Sequence, residues 1–561
     1  SLPSRGLGDV YKRQQLNIMN NKFSLIIVCL FFNLSVIAQE SLNNFTHQDT
    51  LRGSITKERI WWDLTYYHLD ITVDPEKRTI SGSNEISYTV LDSYSVMQVD
   101  LQKPLKLTKA FQNGQELEIR HDGNAHFITL KDKQLKGAKN KLKVFYEGNP
   151  KVAVRAPWDG GISWTKDING NHFIASSCQG IGASVWWPNK DHMYDEVEGM
   201  LMSVNVPKGL TNVSNGRLVK IDEKENSKTF HWEVKNPINN YGVNINIADY
   251  VNFSEIYNGE AGDLDMDYYV LSYNLEKAKI QFKDAIKTMD AFEHWFGPYP
   301  FYEDSFKLVE VPYLGMEHQS SVTYGNKYRQ GYLGRDLSRT GWGLKFDYII
   351  IHEAGHEWFA NNITYKDIAD MWIHESFTTY SENLFLDYHY GNKAASEYVI
   401  GTRRGIGNTT PIIGTYNVNK RGSGDMYAKG ANILHTLRQI ADNDEKWRQI
   451  LRGLNSEFYH QTVTTSQIEN YISQNMKMNL NPFFNQYLRD NRIPTLQYSI
   501  ENNVLKFRWS DVVDNFEMPI ELVVNEKNIR IFPSKDWKEL KLKSEDFIFD
   551  DNYYINKKLV N

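Results

Sequence analysis

Residues 352–375 read HEAGHEWFANNITYKDIADMWIHE and place two histidines and a later glutamate at a spacing that builds a metal site. His352 and His356 are four residues apart, so on a helix both imidazoles project from one face and can share a metal ion. Glu353 lies beside them, where its carboxylate can act as a base. Because the stretch around them has apolar residues at helical spacing and no proline, the sequence predicts a helix over residues 347–359.

A third ligand is expected from the next apolar run, residues 371–388, whose periodicity predicts a second helix. This run carries Glu375 after eighteen intervening residues. Zinc hydrolases usually use three protein ligands, two histidines and a glutamate among the standard sets, and keep the fourth position for water. The metal lowers the pKa of that water to roughly 7, and a neighbouring carboxylate accepts its proton. We therefore predict one Zn²⁺ held by His352, His356 and Glu375, with Glu353 as general base, although cobalt or manganese suits the same ligands.

The same segment resembles the zinc aminopeptidases typified by aminopeptidase N, whose pattern is HExxHxWFGN, then T, then WLNEGF. The matching positions outside the HExxH core are Trp358, Phe359, Asn361, Thr364, Asp370, Trp372, Glu375, Phe377 and Glu382. The departures are Ala360, His374 and Ser376, which replace a glycine, an asparagine and a glycine. The resemblance covers roughly residues 60–520 and implies a thermolysin-like catalytic domain beside an N-terminal β domain.

A second family signature, Gly-x-Met-Glu-Asn, is matched upstream by Leu314-Gly315-Met316-Glu317-His318. The resemblance implies that Gly315, Met316 and Glu317 bind substrate, with the Glu317 carboxylate holding the free amino group by a charge-assisted bond. The alternative is that Glu317 ends an edge strand and faces water. Leu314 and His318 depart from the pattern.

Two further residues are assigned through the resemblance. Residues 426–430, MYAKG, are similar to the family's Tyr-Glu-Lys-Gly segment, which implies that Tyr427 donates a hydrogen bond to the developing oxyanion. Residues 177–183, SCQGIGA, look like the loop whose glutamine helps to bind the amino terminus, which implies that role for Gln179.

Glu382 lies seven residues, two helical turns, after Glu375. On the same helix face it can orient a ligand histidine through a hydrogen bond, or it can be a solvated helix charge, and the sequence leaves both readings open. Some relatives use basic residues to hold a peptide carboxylate, but these do not align, so Arg421, Arg438 and Arg492 receive no role.

The whole chain is predicted to be an α+β multidomain protein, because 561 residues exceed what one core usually supports. Alternating apolar and polar residues with turn clusters predict an N-terminal β domain over 57–256. Helical periodicity predicts a mostly helical region over 257–490, with helices at 275–296, 347–359, 371–388, 430–441 and 445–458. The resemblance implies that this region is the thermolysin-like zinc catalytic domain. Short alternating segments then predict a small C-terminal β-sandwich over 491–561.

The N-terminal end reads as a leader. Residues 1–18 precede a good start methionine and are expected to be a non-native extension, and residues 19–38 read as a signal peptide cleaved after Ala38. The apolar run is too short for a stable membrane span, so we expect export to a bacterial periplasm or medium, with a retained, anchoring leader as the alternative. Cys29 and Cys178 are the two cysteines, so the mature chain forms no internal disulfide.

Composition excludes other function classes. A formal charge of −6 with no basic run gives no reason to expect nucleic-acid binding, and no glycine-rich phosphate loop occurs. We predict a zinc aminopeptidase that acts on peptides with a free N-terminus. The alternatives are an endopeptidase or a hydrolase of non-peptide substrates on the same scaffold, or a non-catalytic peptide-binding protein that keeps zinc. The sequence gives no oligomeric state.

Overall fold

The computed structural model describes residues 45–560. The predicted extension and signal peptide at 1–38, with Cys29, lie outside the described residues. The described chain begins with two short helices, α1 (His47–Gly53) and α2 (Lys57–Ile60). Residues 51–561 group into one compact unit. Among residues 45–560, no helix combines the length and the apolar character needed to cross a membrane.

The N-terminal region is built from β-sheets, as predicted. The strands are β1 (Trp62–Asp74), β2 (Thr79–Val90), β3 (Val96–Asp100), β4 (Lys106–Gln112), β5 (Gln115–Glu116), β6 (Glu118–Asp122), β7 (Ala125–Thr129), β8 (Lys139–Gly148), β9 (Gly161–Lys166), β10 (His172–Ser177), β11 (Met200–Pro207), β12 (Thr211–Val213), β13 (Arg217–Glu223), β14 (Ser227–Val234) and β15 (Asn246–Ala248). The largest sheet has the order β13-β14-β11-β1-β2-β8-β4-β5, β3-β7-β6 forms a second sheet, and β12-β15-β10-β9 forms a third.

Strand β1 shows why this region folds as a sheet. Tyr67, Leu69, Ile71 and Val73 are buried, and the residues between them are half-buried or exposed. This period of two matches the alternation of side chains across a pleated strand. The buried face of β1 packs into the hydrophobic core of the N-terminal sheets.

A mixed sheet joins the N-terminal region to the helices. Its strands are β16 (Tyr250–Gly259), β17 (Gly262–Leu271), β18 (Phe306–Glu310), β19 (Gly315–Met316) and β20 (Val322–Tyr324), in the order β16-β17-β18-β20-β19. Strand β18 is buried throughout and lies parallel to both neighbours, as central parallel strands do. The boundary predicted between residues 256 and 257 falls inside β16, and the division into domains stays a prediction.

The catalytic region is largely helical. Its helices are α3 (Leu275–Gln281), α4 (Lys283–Phe296), α5 (Tyr348–Gly355), α6 (Trp372–Tyr390), α7 (Asn392–Thr402), α8 (Ala428–Ala441), α9 (Asp444–Glu457), α10 (Thr465–Met476) and α11 (Asn481–Phe484). A short parallel pair, β21 (Ile363–Tyr365) and β22 (Gln461–Val463), lies among them. The helix predicted at 371–388 is confirmed as α6. The helix predicted at 347–359 is found as α5 but ends at Gly355, because the next segment is kinked and Phe359 and Ala360 leave helical geometry. Helices α7, α10 and α11 went unpredicted.

Three local features position the helices. The predicted helix 275–296 is interrupted at Phe282, whose buried ring packs on Tyr324 at 5.0 Å between centroids. The side chain of Asp347 caps α5 by accepting hydrogen bonds from two backbone amides. Helix α6 is buried from Trp372 to Leu386, which explains why apolar residues occur on all its faces.

The C-terminal region returns to β-structure, as predicted. Its strands are β23 (Thr495–Glu501), β24 (Val504–Ser510), β25 (Ile520–Val524), β26 (Lys527–Ile531), β27 (Lys538–Lys541), β28 (Phe547–Phe549) and β29 (Asn556–Leu559). They form two sheets, β27-β24-β23-β29 and β26-β25-β28, whose apolar residues join the core of the helical region.

Candidate metal centre and substrate cavity

The three predicted metal ligands come together between helices α5 and α6. Glu375 Oε2 lies 3.4 Å from His356 Nε2 and 3.8 Å from His352 Nε2. All three side chains are buried, and their ligand atoms lie within 4.8 Å of one another. Among residues 45–560, Glu375 Oε2 finds no hydrogen-bond partner. A buried acceptor facing two imidazole nitrogens is costly unless a cation is shared among them.

Hydrogen bonds turn both imidazoles toward this point. His352 Nδ1 lies 2.8 Å from Glu382 Oε1, and His356 Nδ1 lies 3.0 Å from the Phe359 carbonyl oxygen. Because both partners are acceptors, each Nδ1–H donates, and each Nε2 is left to give its lone pair to a metal. Glu382 is buried and also accepts from the Tyr398 hydroxyl at 2.5 Å. The reading of Glu382 as a solvated charge is therefore wrong.

Glu353 directly follows His352 on α5, and both side chains line a cavity in front of the metal centre. Burial raises the pKa of the Glu353 carboxyl to about 7, the Glu317 carboxylate adds to the rise, and His352 opposes it. Gly315 gives this side chain room, because a Cβ at that position would lie 3.1 Å from Glu353 Oε1 and 2.6 Å from Ile349. A pKa near neutrality suits a group that takes up and releases a proton.

Glu317 and Gln179 meet beside the metal ligands. Glu317 follows edge strand β19 but is buried, so the alternative that it faces water is wrong. The Gln179 amide donates to Glu317 Oε1 at 2.5 Å and to Glu375 Oε1 at 2.8 Å. Asn361 Nδ2 donates to the Glu317 carbonyl oxygen at 3.0 Å and fixes its backbone. Met316 lines the same cavity.

Tyr427 lies at the N-terminal end of α8 and faces the predicted metal ligand His352, with 6.3 Å between the two ring centroids. Burial raises the pKa of the Tyr427 phenol well above its ordinary value, the Glu375 carboxylate adds to the rise, and the Arg421 charge opposes it. The phenol is therefore protonated at neutral pH and can donate a hydrogen bond. The roles assigned to these residues stay predictions.

Two of the departures from the family pattern, His374 and Ser376, have local explanations. His374 Nε2 accepts from the Tyr365 amide at 3.0 Å, so its Nδ1–H faces the Tyr241 hydroxyl at 3.3 Å. The Ser376 hydroxyl donates to the Met426 carbonyl oxygen at 2.7 Å. Helix α8 comes close here because it has Gly430, where a Cβ would lie 2.0 Å from Ser376 Oγ.

A cavity of about 370 Å³ opens in front of the metal centre. The predicted residues that line it are Gln179, Gly315, Met316, Glu317, His352, Glu353, His356, Glu375 and Tyr427. Sequence reasoning missed further lining residues, namely Pro157, Trp158, Leu314, Tyr332, Tyr348, Ile349 and Arg421. Tyr348 had a usable signal, since it precedes His352 by one helical turn and stacks on it with 5.2 Å between ring centroids. Trp158 and Tyr332 lie outside helices and strands and had none.

Comparison with known proteins finds a family match in the central part of the chain. Residues 280–487 match the family described as Peptidase family M1 domain. The chain is 23% identical over 447 residues to leucyl aminopeptidase of Saccharolobus solfataricus, and the aligned region covers 75% of this chain and 54% of that protein. It is 23% identical over 265 residues to endoplasmic reticulum aminopeptidase 1 of Homo sapiens, covering 45% and 27%. The chain thus spans about half the length, or less, of these curated relatives.

Solved structures share the fold. A mutant M1 zinc metallopeptidase from Deinococcus radiodurans, bound to a Tyr-Ser-Ala substrate, superposes with a TM-score of 0.64 and 19% identity, covering 78% of this chain and 96% of that one. A mutant two-domain M1 zinc metallopeptidase bound to L-tryptophan superposes with a TM-score of 0.63 and 19% identity, covering 75% and 94%. The α+β multidomain architecture is therefore confirmed.

Proposed function

We propose that this chain, whose residues 280–487 match the Peptidase family M1 domain, is a zinc-dependent aminopeptidase that removes the first residue from peptides. One observation carries the proposal. The buried Glu317 carboxylate shares the Gln179 amide with Glu375, so a carboxylate that can pair with a substrate amine lies beside the predicted metal ligands.

The residues present fit zinc. His352, His356 and Glu375 offer two imidazole nitrogens and one otherwise unpartnered carboxylate oxygen, which is a standard catalytic ligand set. When bound, zinc supplies a Lewis acid that lowers the pKa of water and polarises a carbonyl group. Glu382 and the Phe359 carbonyl oxygen hold the two imidazoles in the required orientation.

The chain's own residues account for the proton transfers. Glu353 accepts a proton from water as the water oxygen attacks the carbonyl carbon of the first peptide bond. As the carbon–nitrogen bond breaks, Glu353 delivers that proton to the leaving amine nitrogen, so one carboxyl acts first as base and then as acid. The Tyr427 hydroxyl donates a hydrogen bond to the carbonyl oxygen as negative charge develops on it.

The amine-binding pair makes the reaction an exopeptidase reaction. A substrate ammonium group held by the Glu317 carboxylate forms a charge-assisted hydrogen bond. Because the amine is fixed, only the peptide bond next to it reaches Glu353 and the metal centre. A blocked amino group carries no charge and loses this interaction.

The test is hydrolysis of a panel of amino-acyl chromogenic amides and their N-acetylated forms, with and without a zinc chelator. We expect chelator-sensitive cleavage of the free forms alone. Glu353→Gln should lower kcat by about 100- to 10,000-fold without loss of bound zinc. Glu225→Gln, on an exposed turn, is the matched control. Equal cleavage of acetylated substrates, or full activity of Glu353→Gln, contradicts the proposal.

We also propose that the protein is exported from a bacterial cell. The support is the leader-like pattern of residues 19–38, a basic start followed by an apolar run and Ala38. Expression of the chain from Met19 in a bacterium, followed by mass spectrometry of periplasmic and cytoplasmic fractions, tests it. We expect a periplasmic product that begins at Gln39, and an uncleaved cytoplasmic product contradicts export.

A further inference from the structure

Arg421 differs from the other two arginines that the sequence left without a role. Arg438 is buried and pairs with Asp387 at 2.8 Å, and Arg492 pairs with Asp490 at 2.5 Å. Arg421 is exposed to the cavity that it helps to line. Within residues 45–560 it has neither an ion pair nor a hydrogen bond, so its guanidinium group is available to a ligand.

The backbone that carries Arg421 is held in place. It belongs to a loop, residues 411–424, whose Ile412 amide donates to the Leu488 carbonyl oxygen at 3.1 Å. The two limbs of the loop are in close contact, since a Cβ on Gly422 would lie 1.7 Å from the Ile412 carbonyl oxygen. A charged side chain on a fixed backbone loses less freedom when it binds a ligand.

The loop places Arg421 on the amine-binding side of the cavity. Asn419, two residues earlier, donates to the Gly180 carbonyl oxygen at 3.5 Å, directly after Gln179. The Arg421 charge also acts on Tyr427, where it opposes the rise in the pKa of the phenol. Arg421 therefore lines the cavity together with Gln179 and Tyr427, which lie beside the first substrate residue in the proposed function.

The charges of the cavity indicate that this arginine binds an anionic group of the substrate. Among the described lining residues, Arg421 is the single lysine or arginine. The lining carboxylates have other tasks, since Glu317 holds the substrate amine, Glu353 moves the proton and Glu375 binds the metal. A guanidinium group presents parallel N–H donors that match a carboxylate in a bidentate pair.

We propose that Arg421 binds the side-chain carboxylate of the first substrate residue and thereby selects peptides that begin with glutamate or aspartate. This inference rests on the proposed aminopeptidase function, because the amine site fixes where the first side chain lies. The same charge repels a first residue with a cationic side chain, so lysine and arginine are disfavoured.

The test compares kcat/KM for the chromogenic anilides of glutamate, glutamine and lysine, which carry no C-terminal carboxylate. We expect the wild type to prefer glutamate over glutamine by about 10-fold, the effect of one hydrogen-bonded charge pair. In Arg421→Gln this ratio should fall to about 1, and the lysine anilide should improve relative to glutamine. Arg421→Lys, which keeps the positive charge but lacks the two parallel N–H donors, should give an intermediate ratio.

Controls separate this inference from the proposed function. Arg404→Gln removes an exposed arginine that does not line the cavity and should keep the wild-type ratio. Circular dichroism and bound zinc verify that Arg421→Gln is folded. A glutamate-to-glutamine ratio unchanged by Arg421→Gln overturns the inference and leaves the aminopeptidase function intact. A wild type that cleaves none of the amino-acyl amides in the wider panel overturns both.

A second arm distinguishes the source of the carboxylate. Leu-Gly and its C-terminal amide differ only in the carboxylate at the other end of the substrate. We expect Arg421→Gln to change KM for the two by the same factor. A selective rise of KM for the free acid would place Arg421 at the C-terminal carboxylate and overturn the assignment to the first side chain.

Discussion

Replacing Asp347 by alanine should loosen the helix that presents His352 and Glu353. The Asp347 side chain is buried and accepts hydrogen bonds from Gln281 Nε2 at 2.7 Å and from the Tyr324 hydroxyl at 2.8 Å. It also accepts from the backbone amides of Ile349 and Ile350 as the N-cap of α5. One carboxylate therefore connects the start of α5 to α3 and to β20.

The cost follows from what each donor loses. Loss of the cap costs about 1 kcal/mol. The buried donors of Gln281 and Tyr324 each lose their acceptor, which costs about 1–3 kcal/mol for each. Asn326 also donates to Asp347 but keeps a bond to the Gly331 carbonyl oxygen at 2.8 Å, so it adds little. We expect the free energy of opening α5 to fall by about 3–7 kcal/mol in Asp347→Ala.

The assay is hydrogen exchange of the amides in residues 351–355, read by mass spectrometry on the chelator-treated protein, together with the urea midpoint. Asp347→Asn is the comparison, because its carbonyl oxygen can still cap the helix and its amide can pair after the Gln281 side chain turns. It should lose about 1–2 kcal/mol. The role of the Asp347 carboxylate in holding α5 is refuted if Asp347→Ala and Asp347→Asn lower the free energy of opening equally. It is also refuted if Asp347→Ala lowers that free energy by less than about 1 kcal/mol.

Three further outcomes are expected. Glu382→Gln should weaken zinc binding by about 10- to 100-fold in competition with a chelator, because His352 loses the carboxylate that orients it; unchanged affinity would speak against that role. Tyr427→Phe should lower kcat by about 100- to 1000-fold with zinc content unchanged. A change in KM alone would contradict a role of the Tyr427 hydroxyl in stabilising the transition state. Burial lowers the pKa of His435 from its ordinary value to about 3, so the folded state holds a neutral imidazole that the unfolded chain protonates below pH 6.5. Stability should therefore fall as pH falls, by about 2 kcal/mol from this group between pH 7 and 5, and His435→Gln should lose that part of the slope while pH 8 serves as the reference; an identical slope would contradict it.

The metal ligands could be predicted from the sequence because local periodicity alone brings them close. His352 lies in α5 and His356 directly follows its last residue with helical backbone angles, so both imidazoles project from one face. The apolar run that carries Glu375 is long enough to require a second packed helix. The interior of the α+β fold was equally readable, since strands such as β1 alternate and helices such as α5 begin at a capping aspartate.

The walls of the cavity could not be read in the same way. Trp158 lines the cavity and is 67% exposed, and Tyr332 also lines it, but both belong to irregular segments without a repeating pattern. Their positions depend on how distant segments meet, which no local spacing encodes. The choice between a paired and a solvated Glu382 also needed the fold, because its partner Tyr398 comes from the next helix.

The Gln179 amide reaches across the chain to acceptors 138 and 196 residues later, one of them the proposed amine anchor and the other a metal ligand. A fragment that begins after the N-terminal sheets would retain all three metal ligands and the general base. It would lack the donor that keeps two neighbouring carboxylates together. We therefore expect a catalytic part joined to a foreign β region to keep its metal and to lose its discrimination between free and blocked amino termini.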